Sequence, residues 1–249
     1  MRECLHTCCF LRIIPASSTS AFSHSFFVKT LAVIPAYNEA SRIAAVIAQA
    51  RPYVDGIIIV DDGSTDGTAK AARDAGAMVL QHVENCGAGA ATMTGIDGAR
   101  AMGAEILITL DADGQHDPED IPALLKPVQN GTVDIVFANR FGQRNRIPLI
   151  RRLFNGIGNF VTFAATGRWV KDSQCGFKVF GPKALRDVDL RMSGFEFCTE
   201  IVRESVQHRW KIAEVPIKVI YSEYTLAKGQ SFAYGIKTAL KILLRSFLR

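Results

Sequence analysis

Short apolar runs alternate with segments of helical spacing along most of this chain, and this alternation restricts the fold more than any other feature. The apolar runs cover residues 31–34, 56–60, 78–83, 105–110 and 133–138. The segments between them, such as 39–50 and 88–102, place apolar residues three and four positions apart. Strands that are uniformly apolar are buried on both faces. The pattern therefore predicts an α/β fold with a parallel sheet that helices cover on both sides.

Length and charge limit the number of domains and the kinds of ligand that this chain can have. With 249 residues, 48% of them hydrophobic, the chain can build one large domain around its own core. A net charge of +5 fits an anionic substrate or an anionic membrane surface, and we expect no nucleic-acid partner. No uncharged apolar run reaches the roughly 18 residues of a membrane-spanning helix. Residues 1–28 precede the alternation and are interpreted as a disordered extension, with a targeting signal as the alternative.

Polar residues follow three of the predicted strands at the point where each strand ends. They are Tyr37-Asn38-Glu39, Asp61-Asp62 and the segment from Asp111 to His116. Ligands of open α/β sheets bind beyond the carboxyl ends of the strands. The sequence therefore predicts a ligand site at this edge of the sheet.

The segment that begins at Asp111 carries the sharpest chemical signal. Asp111 and Asp113 are two residues apart, and a bend at Gly114 can turn both carboxylates towards one point. Hard oxygen ligands favour Mg²⁺ or Mn²⁺ over zinc, and such an ion would neutralise a departing diphosphate. An acidic turn before the helix at Pro118 is the alternative. His116 has three open interpretations, as a metal ligand, as a base or as a supporting residue.

The first two strand ends are candidates for nucleotide binding. Tyr37 can stack on a base, and Glu39 or an Asp61-Asp62 carboxylate can accept hydrogen bonds from a base or ribose. A role in turns and helix entry is the alternative. The glycine-rich loop at 85–90 lacks the third glycine of the dinucleotide fingerprint and follows the third strand, which argues against a nicotinamide-dependent dehydrogenase.

Five segments together carry a family resemblance. They are PAYNE at 35–39, VDDGSTDGT at 60–68, the loop from Asn85, DADGQH at 111–116 and DSQCGFK at 172–178. In this order and spacing the chain resembles family 2 glycosyltransferases, and its closest branch is similar to dolichyl-phosphate mannose synthases and polyprenyl-phosphate glycosyltransferases. The resemblance covers 29–231 and implies a catalytic domain of GT-A fold, with a Rossmann-like, mostly parallel sheet. It also implies a nucleotide-sugar donor of the GDP-mannose or UDP-glucose type.

The resemblance also implies roles for individual residues. Nucleotide contacts fall on Pro35, Tyr37, Glu39, Val60 and Asp62, donor contacts on Asp111 and Ala112, and ligands for Mg²⁺ or Mn²⁺ on Asp113 and Gln115. Catalytic roles fall on Asp113, Arg140 and Asp172, and Arg140 is also implied to bind the donor. The acceptor-side motif matches at Asp172, Gln174, Gly176 and Phe177, and the following helix matches at Glu200.

The sequence departs from the family pattern near its C-terminal end. Lys228-Gly229-Gln230-Ser231 replaces the Arg-x-x-Gly-x-Ser-Lys pattern of many synthases. Lys228 is predicted to bind phosphate, and its match to the family pattern is weaker than that of the other residues.

Two acceptors fit an inverting family 2 enzyme. A hydroxyl acceptor, such as a polysaccharide, needs a general base, for which Asp172 and His116 are the candidates. A polyprenyl or dolichyl phosphate already carries an anionic oxygen at neutral pH and needs no base. It needs cations instead, and the available ones are Arg140, Arg144, Arg146, Arg151, Arg152 and Lys228. A nucleotidyltransferase and a non-catalytic nucleotide-sugar binding protein are less favoured alternatives.

The tail at 232–249 favours a lipid acceptor. Its basic residues Lys237, Lys241, Arg245 and Arg249 are each four apart, and apolar residues occupy much of the remaining helix surface. This pattern predicts a basic amphipathic helix in a membrane interface, and a helix docked on the domain is the alternative. We expect a cytoplasmic protein that is peripheral on the cytoplasmic face of a membrane.

Overall fold

The backbone forms one mixed sheet in the part of the chain that this computed structural model describes, residues 11–14, 30–143 and 147–220. The strands are β1 (Leu11–Ile14), β2 (Thr30–Ala36), β3 (Gly56–Asp61), β4 (Met78–His82), β5 (Ile106–Thr109), β6 (Ile135–Asn139), β7 (Lys178–Phe180) and β8 (Ile212–Pro216). Their order is β1-β4-β3-β2-β5-β7-β6-β8. Only β1 and β7 run antiparallel to their neighbours among these strands. The predicted α/β class with a mostly parallel sheet is therefore confirmed.

Helices cover both faces of this sheet. The helices are α1 (Ile43–Ala50), α2 (Thr68–Asp74), α3 (Ala88–Ala101), α4 (Ile121–Gln129), α5 (Leu149–Thr166), α6 (Pro182–Asp187) and α7 (Phe197–Gln207), and among them α5 packs on α7 instead of on the sheet. Successive side chains of a strand point to opposite faces, so Ala32 and Ile34 join one core with α1, α2 and α4. Leu31 and Val33 join a second core with α3, α6 and α7. This burial on both faces explains why the strands are apolar throughout.

The region after residue 140 contains elements that the sequence pattern did not predict. Helix α5 has 18 residues, and the three-residue strand β7 lies between β5 and β6. Strand β8 ends at Pro216, and the chain then leaves the sheet. The Ile220 N–H donates to the Gln115 carbonyl at 2.9 Å, so this segment runs beside the acidic loop.

The two ends of the chain lie largely outside the described residues. Within the predicted extension 1–28, Leu11–Ile14 pairs with β4 and forms the edge of the sheet. The predicted tail helix at 232–249, Lys228, Arg144 and Arg146 all fall outside the described part. Within that part, every helix is too short or too polar to cross a membrane.

Candidate active site

The loop after β5 places Asp111 against the segment that precedes β7. Thr109 pairs with Lys178 across these strands, and the Thr109 hydroxyl donates to the Gly176 carbonyl at 2.7 Å. A Cβ atom on Gly176 would lie 2.6 Å from Asp111 Cγ and closer still to Oδ1. The carboxylate can therefore occupy this position only because residue 176 has no side chain.

Substituting Gly176 with alanine should displace the Asp111 carboxylate and lower transfer by about a hundredfold, because a misplaced donor contact affects the transition state directly. Initial rates of nucleotide release would measure the loss. Gly56→Ala is the matched control, since its new methyl group would meet only the flexible end of Leu31 at the opposite end of the sheet. Equal activity of Gly176→Ala and the control would contradict this placement of Asp111.

Asp113 lies on the bend that the sequence predicted. Gly114 has a φ of 75°, and the Gln115 N–H donates to Asp113 Oδ1 at 2.9 Å. Burial raises the pKa of the Asp113 carboxyl, and the neighbouring charges of Asp111 and Glu39 raise it further. A bound cation would offset the electrostatic repulsion between these neighbouring carboxylates. The predicted ligands, the Asp113 carboxylate and the Gln115 amide oxygen, are hard donors of the kind that Mg²⁺ and Mn²⁺ prefer.

His116 is buried beneath this loop. Its Nε2 lies 3.6 Å from Cys175 Sγ and 3.5 Å from Asp111 Oδ2, and its ring centroid lies 5.2 Å from that of Phe177. Burial lowers the pKa of His116 to about 4, so the imidazole is neutral near pH 7. These contacts favour the supporting role among the three interpretations of this residue.

Arg140 and Asp172 form a bidentate ion pair. Arg140 Nε donates to Asp172 Oδ2 at 2.7 Å and Nη2 donates to Oδ1 at 2.8 Å. The Arg140 backbone N–H adds a third bond at 3.0 Å. Asp172 is 1% exposed. Arg140 and Asp172, two of the three predicted catalytic residues, therefore contact each other directly, and the guanidinium binds both oxygens of the carboxylate.

Asp61 and Asp62 are adjacent aspartates with separate partners. Asp62 Oδ2 accepts the Gly87 N–H at 2.8 Å, while Oδ1 accepts the Cys86 N–H at 2.9 Å and contacts His82 Nδ1 at 2.8 Å. Asp61 accepts from the Gln81 amide and from the Ser64 N–H. The ligand atoms of Asp62, His82 and Cys86 lie within 4.8 Å of one another. We assign no metal to this group because its carboxylate already holds the glycine-rich loop.

The other predicted nucleotide residues differ in exposure. The Tyr37 side chain is 43% exposed and accessible to a ligand, whereas Glu39 is buried and its N–H donates to the Thr68 hydroxyl at 2.8 Å. Pro35 is half-buried. Val60 and Ala112 are buried in the core, so only their backbones could contact a ligand. The structure thus leaves Tyr37 as the one side chain of this set that is exposed.

The glycine-rich loop packs against the chain before α7. The Gly89 N–H donates to the Ser193 carbonyl at 2.7 Å. The Glu200 carboxylate accepts the N–H groups of Arg191 and Met192 at 2.9 and 2.8 Å and pairs with Arg203. Glu200 therefore supports the backbone on which this loop rests.

The family model described as glycosyl transferase family 2 matches residues 31–189. This span contains the acidic loop, Arg140 and the segment from Asp172 to Lys178. This chain belongs to glycosyl transferase family 2.

Curated relatives support this family, and a solved structure shares its fold. UDP-N-acetylglucosamine–dolichyl-phosphate N-acetylglucosaminyltransferase of Methanococcus voltae is 34% identical over 235 residues, covering 85% of this chain and 94% of the relative. Undecaprenyl-phosphate mannosyltransferase of Micrococcus luteus is 29% identical, covering 79% and 85%. Glucosyl-3-phosphoglycerate synthase from Mycobacterium tuberculosis, crystallised with Mn²⁺ and UDP, is 20% identical and has a TM-score of 0.67 over 88% of this chain and 80% of its own. That similarity establishes the GT-A fold of the glycosyltransferase.

Lys178 is a charged residue of the glycosyltransferase site to which the sequence assigned no role. It is fully buried, and its ammonium group donates to the Cys175 carbonyl. It also lies 5.7 Å from the ring centroid of Phe137 and 5.8 Å from that of Phe197. The Asp111 side chain is 49% exposed, and the positive charges of Lys178 and Arg140 favour its ionised form. The place of Lys178 in the DSQCGFK motif was the only sequence signal that could have pointed to this residue.

Gln174 connects the same segment of the glycosyltransferase to α5. Its Nε2 donates to the Thr162 hydroxyl at 3.2 Å and to the Ser173 hydroxyl at 3.0 Å. The site therefore contains Asp111, Asp113, Arg140 and Asp172, with Gln174 two residues beyond Asp172, and the roles assigned to these residues stay predictions. It also contains Lys178, for which no role was predicted.

Proposed function

We propose that this family 2 glycosyltransferase moves a sugar from a nucleotide-sugar of the GDP-mannose or UDP-glucose type to a polyprenyl or dolichyl phosphate, with inversion at the anomeric carbon. The relatives from Methanococcus voltae and Micrococcus luteus are named for transfer to dolichyl phosphate and to undecaprenyl phosphate. They cover most of this chain, which supports the same acceptor class here.

The state of Asp172 is the observation that carries this proposal. A hydroxyl acceptor must lose a proton to a base within hydrogen-bond reach. Asp172 is almost fully buried, and Arg140 binds both of its oxygens. His116, the other candidate, is buried between Cys175 and Phe177. A phosphate acceptor avoids this requirement because its oxygen is already anionic near pH 7.

The donor would bind along the carboxyl ends of β2, β3 and β5. Tyr37 is accessible for stacking on the base, Asp111 would contact the donor, and Asp113 and Gln115 would hold Mg²⁺ or Mn²⁺. A bound divalent cation supplies neutralisation of the charge that develops on the departing diphosphate. Asp113 is held for this task by the Gln115 N–H, and Asp111 by its close packing on Gly176.

A comparison of two matched lipids tests the acceptor. Polyprenyl phosphate and the corresponding polyprenol have the same chain and differ only in the phosphate, so detergent-solubilised samples of each would be incubated with labelled nucleotide-sugars and Mn²⁺. We expect labelled lipid from the phosphate and none above background from the alcohol. Transfer to the alcohol or to a sugar, with none to the phosphate, would refute the proposed acceptor. Panels of UDP- and GDP-sugars in the same assay would identify the donor.

A further inference from the structure

Helix α5 is oriented with its apolar side outwards. Its exposed face contains the large side chains Leu149, Ile150, Leu153, Ile157, Phe160 and Phe163. Leu149 is 82% exposed, Leu153 59% and Phe160 62%. Helices of soluble domains normally bury such a face and leave their polar residues in water. A continuous exposed apolar surface of this kind marks an interaction site.

The inward side of α5 is the polar one. Asn159 donates to the Lys171 carbonyl at 2.6 Å and accepts from the Ser173 N–H at 3.0 Å. The hydroxyls of Thr162 and Thr199 lie 2.8 Å apart. These buried hydrogen bonds fix the rotation of α5 about its axis. The outward position of the apolar face is therefore determined by polar contacts, since the opposite rotation would leave them unsatisfied.

The charged side chains from residue 135 to residue 171 are all basic, and near this face the acidic Glu214 accepts the Lys171 N–H at 3.0 Å. Arg152, Arg168 and Lys171 are exposed on α5 and just beyond it. Trp169 is 54% exposed, and its ring lies edge-on to that of Phe163 with centroids 5.8 Å apart. Apolar residues flanked by cations and an amphipathic aromatic ring suit the interface of an anionic bilayer.

We propose that the outer face of α5 docks the enzyme onto the surface of an anionic phospholipid bilayer. The inference rests on the proposed function, because a lipid-linked acceptor would reach the site from that surface, and it adds the element that binds the bilayer. The apolar side chains enter the acyl boundary while Arg152, Arg168 and Lys171 meet lipid phosphates. Asn159 and Thr162 then hold the segment from Ser173 to Gln174 directly above the bilayer.

Vesicle co-sedimentation tests this surface without any transfer reaction. Full-length protein would be mixed with vesicles of phosphatidylcholine and phosphatidylglycerol that contain no polyprenyl phosphate. The double variant Leu153→Gln/Phe160→Gln should partition at least about tenfold more weakly than the native protein. Met78→Gln/Val83→Gln is the matched control, because both residues are exposed apolar side chains on or beside β4. Equal binding of the α5 variant and the control would overturn the proposal.

Tryptophan fluorescence locates the contact independently. The chain has two tryptophans, and Trp210 is buried at 3% exposure. Vesicles with brominated acyl chains should quench Trp169, and Trp169→Phe should abolish the vesicle-dependent quenching while Trp210 emission remains. Absence of quenching in vesicle-bound native protein would overturn the docking of α5 and would indicate attachment through another segment, such as 232–249.

Two further measurements test whether a second copy of the protein, instead of a bilayer, covers α5, and whether the proposed function fails independently of the docking. Sedimentation equilibrium without lipid would reveal a dimer, and a dimer that the α5 variant dissociates would overturn the bilayer in favour of a second copy. Transfer to a short-chain, water-soluble polyprenyl phosphate should be equal in the α5 variant and the native protein. Loss of vesicle binding with this transfer intact supports α5 docking, whereas absence of transfer in the native protein refutes the proposed function alone.

Discussion

Replacing Asp113 with alanine should lower metal-dependent transfer by about a thousandfold, comparable to the removal of one preorganised group that stabilises transition-state charge. Asp113 is the partly buried carboxylate on the bend at Gly114, and Asp111 crowds it electrostatically. Its removal leaves the proposed cation with fewer hard oxygen ligands. Release of nucleoside diphosphate, measured across a Mn²⁺ titration, would report both the rate and the metal requirement.

The matched control is Glu119→Ala in the same segment. Glu119 has a side chain that is 72% exposed, and its loss should leave the rate and the Mn²⁺ dependence unchanged. Circular dichroism and the Tm of Asp113→Ala should match those of the native protein, because relief of carboxylate repulsion costs no core contact. Unchanged turnover in Asp113→Ala would remove the metal assignment.

Replacing Asp172 with asparagine should lower the free energy of unfolding by about 3 kcal/mol, since it leaves the Arg140 guanidinium without its counter-charge in a nearly buried position. The Asp172 side chain is fully buried and that of Arg140 is 12% exposed, so water compensates the loss poorly. Urea-induced unfolding, followed by circular dichroism, would measure the change. Transfer should fall as well, because Arg140 would lose its bidentate anchor.

Asp97→Asn is the matched control for this ion pair. Asp97 pairs with Arg100 at 2.9 Å, but its side chain is 59% exposed, so the loss should stay below about 1 kcal/mol. The double variant Arg140→Met/Asp172→Leu should recover much of the stability without activity, because it leaves no buried charge unpaired. An Asp172→Asn protein as stable as the Asp97→Asn protein would show that the pair contributes no structural energy.

The part of the fold built from local patterns was predicted well. Strands β2 to β6 and helices α1 and α3 follow from apolar runs and helical spacing, because burial of one face leaves a periodic pattern in the local sequence. Strand β7 was not predicted, since three residues carry too little pattern to distinguish a strand from a loop. Its antiparallel place between β5 and β6 depends on pairing partners that are distant in the chain.

The candidate site shows the same division. The order of the acidic segments placed Asp111 and Asp113 at the carboxyl edge of the sheet, because parallel strands end at a common edge. The contacts that other site residues make with distant parts of the chain were not predictable. Asp172 bonds Arg140 across 32 positions, and Asp62 holds a loop 24 positions away. Such contacts depend on three-dimensional proximity, which residue types and spacing leave open.

The sequence by itself determined the fold class, the family and the edge of the sheet at which the candidate site lies, because apolar periodicity and ordered motifs are properties of the chain. Only the tertiary structure decided which groups at that edge remain available for chemistry. It engaged Asp172 with Arg140, buried Lys178 near Asp111 and turned the apolar side of α5 outwards. An amphipathic pattern is the same whether its apolar face points in or out, and the buried hydrogen bonds of Asn159 and Thr162 settle that direction here.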